Sequence, residues 1–71
     1  MISIKFKLQG EYIELIQLLK ATSIAQTGGH AKMIVEEGLV VREGKSETRK
    51  RAKIRRGEII KINDEFEIIV L

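Results

Sequence analysis

Ile2, Ile4, Phe6 and Leu8 alternate with Ser3, Lys5, Lys7 and Gln9, so the chain opens with a period of two that puts four apolar side chains on one face of a strand. Gly10 ends that run. From about Glu11 to Ala21 the period changes: Tyr12, Leu15, Ile16 and Leu19 recur at helical spacing, and Ile13 and Leu18 widen the stripe enough for burial on more than one side. Thr22 to Thr27 reads as a connection, with Ile24 and Ala25 placed to tuck under a second helix running from Gly28 to Glu37. Ala31, Ile34 and Val35 form the apolar face of that helix. Gly38 stands where a left-handed C-terminal cap belongs, because glycine takes positive φ without a steric penalty.

The second half of the chain reads as strands. Leu39 to Arg42 and Lys45 to Thr48 form a hairpin across a two-residue turn, Glu43 and Gly44. Arg49 to Lys53 is too charged for a core and predicts an exposed loop, after which Ile54 re-enters and Gly57 turns the chain. Glu58 to Ile62 and Glu65 to Val70 make another hairpin around Asn63 and Asp64, with Phe66, Ile68 and Val70 on one face. The predicted order is βααββββ. Two consecutive helices must then cover one face of a small, mostly antiparallel sheet, closed by pairing of the first strand with the last, an α+β fold.

Composition sets the scale of the core. Residues 1–71 make one small domain, of a size at which hydrophobic burial leaves only a few kcal/mol of net stability. Hydrophobic residues at 44% and the lack of proline argue for a folded chain. Without cysteine there is no disulfide framework and no thiolate zinc site, so packing alone must hold the domain, and a reducing cytoplasm is the expected setting. No apolar stretch approaches the roughly 20 residues needed to span a bilayer. A monomer is expected.

Charge changes the picture most. Of the 13 Lys and Arg residues, Arg42, Lys45, Arg49, Lys50, Arg51, Lys53, Arg55 and Arg56 fall in one fifteen-residue segment, against Glu43 and Glu47, which is 8 − 2 = +6. Residues 1–41 balance at 4 − 4 = 0, and 57–71 sum to 1 − 4 = −3. The overall +3 therefore hides one cationic edge suited to a polyanion. So dense a run of like charges is destabilising, which favours a binding role over mere solubility. Tyr12, Phe6 and Phe66 each lie on an apolar stripe and read as core, leaving little aromatic surface for stacking single-stranded bases. Structured RNA held by its backbone fits better.

A second anion-attracting feature precedes the second helix. Thr27 caps the helix start, Gly28 and Gly29 leave backbone N–H groups uncovered, and Lys32 lies one turn on, so a phosphate could sit there; His30 is expected to act by hydrogen bonding. Catalytic chemistry finds no footing. One histidine, no cysteine and no carboxylate cluster at ligand spacing make neither a metal site nor a Cys/His nucleophile, and no cofactor is implied. Gly38 and Gly44-Lys45-Ser46 imitate a P-loop, but five residues separate the glycines where the motif has four, and no helical stripe follows Ser46.

These residues resemble the S4 (alpha-L) RNA-binding domain family, named after small-subunit ribosomal protein S4. Its motif runs Ser-Arg, two variable residues, Ala, two more, Leu-Ile, two more, Gly, then Val-x-Val-Asn-Gly. Thr27 and Gly28 stand at Ser-Arg, Ala31 at Ala, Ile34 and Val35 at Leu-Ile, Gly38 at Gly, Val40 at the first Val and Gly44 at the last Gly. Gly57, Glu58 and Ile59 look like the Gly-Asp-x-Ile turn that follows. Gly28 replaces an arginine the family often uses on RNA, Glu43 replaces the turn Asn, and Glu14, Leu15 and Ile16 replace an Arg-Leu-Asp opening of the first helix. In these departures the chain is similar to the short stand-alone bacterial branch of YaaA/YbcJ type, with Gly28, Ala31 and Lys32 matching its Gly-x-x-Ala-Lys, and Glu47 to Ile54 matching its Glu-Thr-Arg-Lys-Arg-x-Lys-Ile.

The resemblance implies an RNA-binding module without a catalytic partner domain, with charge moved from the helix start into the loop after the hairpin. The expected RNA contacts are Thr27, Gly28, Gly29, His30 and Lys32 at the helix start, and the eight cations from Arg42 to Arg56. Together they would make one surface gripping the phosphates of structured RNA, ribosomal or transfer, in a translation-associated role. Two alternatives stay open at this point: an adaptor whose basic edge meets an acidic partner on a ribosomal particle, and DNA in place of RNA. Small sulfur or ubiquitin-like carriers need a Gly-Gly terminus, and this sequence ends Ile69, Val70, Leu71.

Overall fold

The alternating N-terminal run forms β1 (Ile2–Phe6), and it lies parallel to β7 (Phe66–Val70) with Ile4 opposite Ile68 and Phe6 opposite Val70. The computed structural model describes Met1–Leu71. The remaining sheet partners are antiparallel: β7 with β6 (Ile59–Ile62), β6 with β3 (Val40–Arg42), and β3 with β4 (Lys45–Ser46), giving the order β1-β7-β6-β3-β4. The expected closure of first strand on last is therefore present. Ile60, Ile62, Ile68, Val70 and Val40 are all buried on the inner face of this sheet.

Two helices cover that face. α1 (Leu15–Ala21) buries Leu15, Leu18 and Leu19, and α2 (Gly28–Glu36) buries Ala31, Ile34 and Val35. Ala25 from the connection is also buried, and Ile24 packs against the core, as the hydrophobic pattern predicts. Gly38 takes φ +75° just beyond the α2 cap. Glu43 at φ 52° and Gly44 at φ 79° form the β3–β4 turn with both central residues left-handed, the backbone a two-residue hairpin requires. No helix is long and apolar enough to cross a membrane.

Several expectations need correction. The first helix starts at Leu15 instead of Glu11, because Ile13 and Glu14 form a short strand, β2 (Ile13–Glu14), antiparallel to β5 (Lys53–Ile54). The return strand ends at Ser46, short of Thr48: the Glu47 N–H still donates to the Val40 carbonyl at 2.9 Å, but the Glu47 side chain is buried and its carboxylate accepts the Arg49 N–H, which turns the chain away from β3. Tyr12 is not core: lying before the helix, it is 42% exposed. The loop from Arg49 to Lys53 is only partly solvated, because Ala52 within it is buried, while Ile54 re-enters the core as the pattern predicts.

The loop also terminates a helix. Glu14, the N-cap of α1, makes no side-chain cap bond. Instead, the Leu15 N–H donates to the Ala52 carbonyl at 2.9 Å and the Ile16 N–H to the Lys50 carbonyl at 3.1 Å. Helix starts leave such N–H groups without intrahelical partners, so the backbone of the basic loop completes α1.

Candidate nucleic-acid interface

The basic segment begins at the end of β3, where Arg42 stands opposite Ile60 in register and its head group meets two carboxylates. Its Nε lies 2.6 Å from Glu58 Oε1 and its Nη2 3.1 Å from Glu58 Oε2, a two-point fork; Nη1 lies 3.1 Å from Glu47 Oε1, and Nη2 also donates to the Lys53 carbonyl at 2.9 Å. Glu58 additionally accepts from the Arg55 N–H at 2.7 Å. One guanidinium thus ties β3 to residues 47, 53 and 58.

Glu47 is the other half of the anchor. It accepts from the Arg49 N–H, Nε and Nη2 at 3.1–3.2 Å as well as from Arg42, and it is the buried charged residue of the domain. The Arg49 hydrogen bond, joined by its backbone N–H and by Arg42, outweighs burial and holds the Glu47 carboxyl at about 2 against the usual 4.5. For Glu58, burial acts upward, but Arg42, the Arg55 N–H and the positive charge of both arginines together bring it below the usual carboxylate range. The Glu58 hydrogen bond in turn raises Arg42.

The remaining cations of the run divide by what they touch. Lys45, Lys50 and Arg51 make no side-chain hydrogen bond or ion pair. Arg49 leaves 74% of its side chain exposed while pairing with Glu47. Lys53 Nζ and Arg55 Cζ lie over the Tyr12 ring, 4.9 and 5.8 Å from its centre. Arg56 donates to the Gly10 and Leu8 carbonyls, both at 2.7 Å, and so fastens the Gly57 turn to the segment that follows β1. One shallow hollow is lined by Arg42, Arg49, Arg51, Ala52 and Lys53; a second, sharing Arg42 and Arg49, includes Lys45 and Glu43. The structure thus gathers Lys45, Arg49, Arg51 and Lys53 along one edge.

At the start of α2, the Thr27 hydroxyl accepts the His30 N–H at 3.0 Å, the capping bond the sequence predicts. His30 Nδ1 accepts the Gln26 N–H at 3.3 Å, which leaves Nε2 as the ring's outward donor. Lys32 pairs loosely with Glu36 at 3.7 Å, both exposed. Gly28 has open space where a Cβ would be, so this position could carry a side chain without obstruction.

No hydrogen bond or ion pair joins residues 27–32 to residues 42–56. The basic loop is bonded to the N-terminal end of α1, whereas the connection into α2 is bonded to its C-terminal end, through the Ser23 N–H to Lys20 and the Ala25 N–H to Leu19. Sequence reasoning did not find the roles of Glu47 and Glu58 as inward anchors, nor the exposed Tyr12. The Glu47-x-Arg49 spacing was a visible signal for the first; nothing local signals a pairing across the interval from Arg42 to Glu58. No group of three or more His, Asp or Glu residues could hold a metal ion.

The S4 domain family model matches residues 6–70. The chain is 41% identical over 49 residues, 69% of its length and 70% of the relative's, to the Escherichia coli (strain K12) protein named "Putative RNA-binding protein YbcJ". The same identity and coverage hold for YbcJ of Shigella flexneri. The solution structure of E. coli YbcJ, described as revealing an alfaL motif involved in RNA-binding, superposes with TM-score 0.68 at 33% identity, covering 92% of this chain and 85% of that one.

Proposed function

The chain belongs to the S4 domain family, and on that premise we propose that it is an RNA-binding module that holds the phosphates of structured RNA along the edge running from Lys45 to Lys53. The observation that carries this reading is the direction in which the charges face. Glu47 and Glu58 are turned inward onto Arg42, while Lys45, Lys50 and Arg51 have no internal partner. The edge is therefore cationic outward. The naming of YbcJ as RNA-binding and the alfaL motif of its structure support the same ligand.

In this proposal Arg49 and Arg51 fork onto phosphate oxygens and the lysines act as mobile point charges. Arg42 does not reach the RNA; it holds the segment in shape. Thr27, Gly28, Gly29, His30 and Lys32 add a second contact, in which uncovered N–H groups at the start of α2 and the His30 Nε2 donor position the backbone without reading sequence. The module binds as a monomer, without a cofactor or reaction of its own, in the cytoplasm, on ribosomal or transfer RNA. Crosslinking in cells, with sequencing of the bound RNA and mapping of the crosslinked peptides, tests this. Crosslinks within residues 42–56 are expected. A partner retained after ribonuclease treatment, with no crosslink in that segment, would instead mark a protein adaptor.

A further inference from the structure

Tyr12 is the single tyrosine of a chain without tryptophan, and it stands outside the core that every neighbouring apolar residue of its stripe joins. Its ring has two cations over it, Lys53 Nζ at 4.9 Å and Arg55 Cζ at 5.8 Å, neither of which is paired with a carboxylate side chain. The ring also walls a hollow of about 320 Å³ whose other sides are Phe6, Leu8 and Ile13, with Lys7 and Gln9 at its polar margin. Lys53 belongs both to the Tyr12 cluster and to the hollow formed with Arg42, Arg49 and Arg51.

We infer that Tyr12 and its hollow receive one unpaired nucleobase of the bound RNA, with Lys53 and Arg55 holding the phosphate beside it. This rests on the RNA-binding reading above and narrows its ligand to RNA with an unpaired nucleotide next to the gripped backbone. The chemistry matches part by part. An aromatic ring offers a π-face to any base, so stacking adds affinity with little sequence preference, and guanidinium beside a ring stacks as well. Apolar walls with a few polar groups suit a flat heterocycle, and the Gln9 amide carries both a donor and an acceptor for a base edge. Residues already fixed by β2–β5 pairing hold the platform, since Tyr12 precedes Ile13 and Lys53 lies within β5.

The test uses two RNA hairpins of equal length and charge, one with a four-nucleotide single-stranded extension of adenosines and one whose extension carries abasic riboses. The wild-type protein should bind the adenosine hairpin about tenfold more tightly, within the range expected for one stacked base. Emission from Tyr12 should be quenched by that hairpin and not by the abasic one. Tyr12→Leu should erase the difference between the two hairpins, whatever change the loss of the ring brings to the Lys53 and Arg55 phosphate contact common to both, and Tyr12→Phe should keep most of the difference. Equal binding of both hairpins by the wild type, with Tyr12→Leu without effect, would overturn the platform while leaving the phosphate grip standing. Failure of both hairpins to bind would overturn the RNA-binding reading, and the platform with it.

Discussion

Arg42 and Glu58 meet through two parallel contacts, 2.6 and 3.1 Å, across a sequence interval of sixteen positions. This pair, extended by Glu47, converts a stretch of self-repelling charge into an ordered edge, because its acids face inward. Arg42 keeps only 22% of its side chain exposed, and the two carboxylates less. Arg42→Ala would leave Glu58 with only the Arg55 N–H and Glu47 with Arg49 alone, and a loss of about 2 kcal/mol is expected, below that for an uncompensated buried charge. Urea denaturation measures it, and a cycle with Glu58→Gln should show coupling of roughly 1 kcal/mol or more.

Acid should loosen the same network. Glu47 lies near 2 when folded against 4.5 when unfolded, so its stabilising contribution is complete above about pH 5 and is lost as pH falls toward about 2. Glu58, also lowered, acts in the same direction. Glu47 alone accounts for on the order of 2–3 kcal/mol across that window. Denaturation midpoints measured from pH 7 to pH 2 should fall for the wild type, and Glu47→Gln should flatten that limb while lowering stability at pH 7.

Periodicity made the sheet face, both helices and the hairpin turns legible, because each depends on residues within a few positions of one another. Ile2 to Leu8 and Phe66 to Val70 announced their strands by alternation, and Gly38 and Gly44 their left-handed turns. The start of α1 was not legible: Tyr12 and Ile13 fit a helical stripe, yet Ile13 pairs with Ile54, forty-one positions away, and that tertiary pairing overrides local periodicity. The basic segment was visible as charge, but not the division within it. Whether an arginine faces solvent or a carboxylate depends on Glu58 arriving just before β6, which no local pattern encodes.

Exposed and unpartnered cations should separate binding from folding. Lys45→Ala, Lys50→Ala and Arg51→Ala are each expected to shift stability by less than about 0.5 kcal/mol while the triple variant loses most RNA affinity. Adding Arg49→Ala should destabilise further, since Glu47 then keeps only the Arg49 backbone N–H of its bonds to that residue. Thermal melts beside filter binding distinguish the two effects.

The α2 cap provides a contrasting case. Thr27→Ala removes the hydroxyl that accepts the His30 N–H, and a cost of about 1 kcal/mol is expected in denaturation. Thr27→Ser should restore it.

The salt dependence of RNA affinity tests the phosphate grip most directly. With about three or four phosphates neutralised, log affinity should fall with log salt at a slope near −2 to −4, taking roughly 0.7 to 0.9 per phosphate. The Lys45, Lys50 and Arg51 triple variant should have a shallower slope, by nearly one for each phosphate it no longer neutralises. A wild-type affinity indifferent to salt, or a variant with an unchanged slope, would contradict the assignment of this edge to RNA.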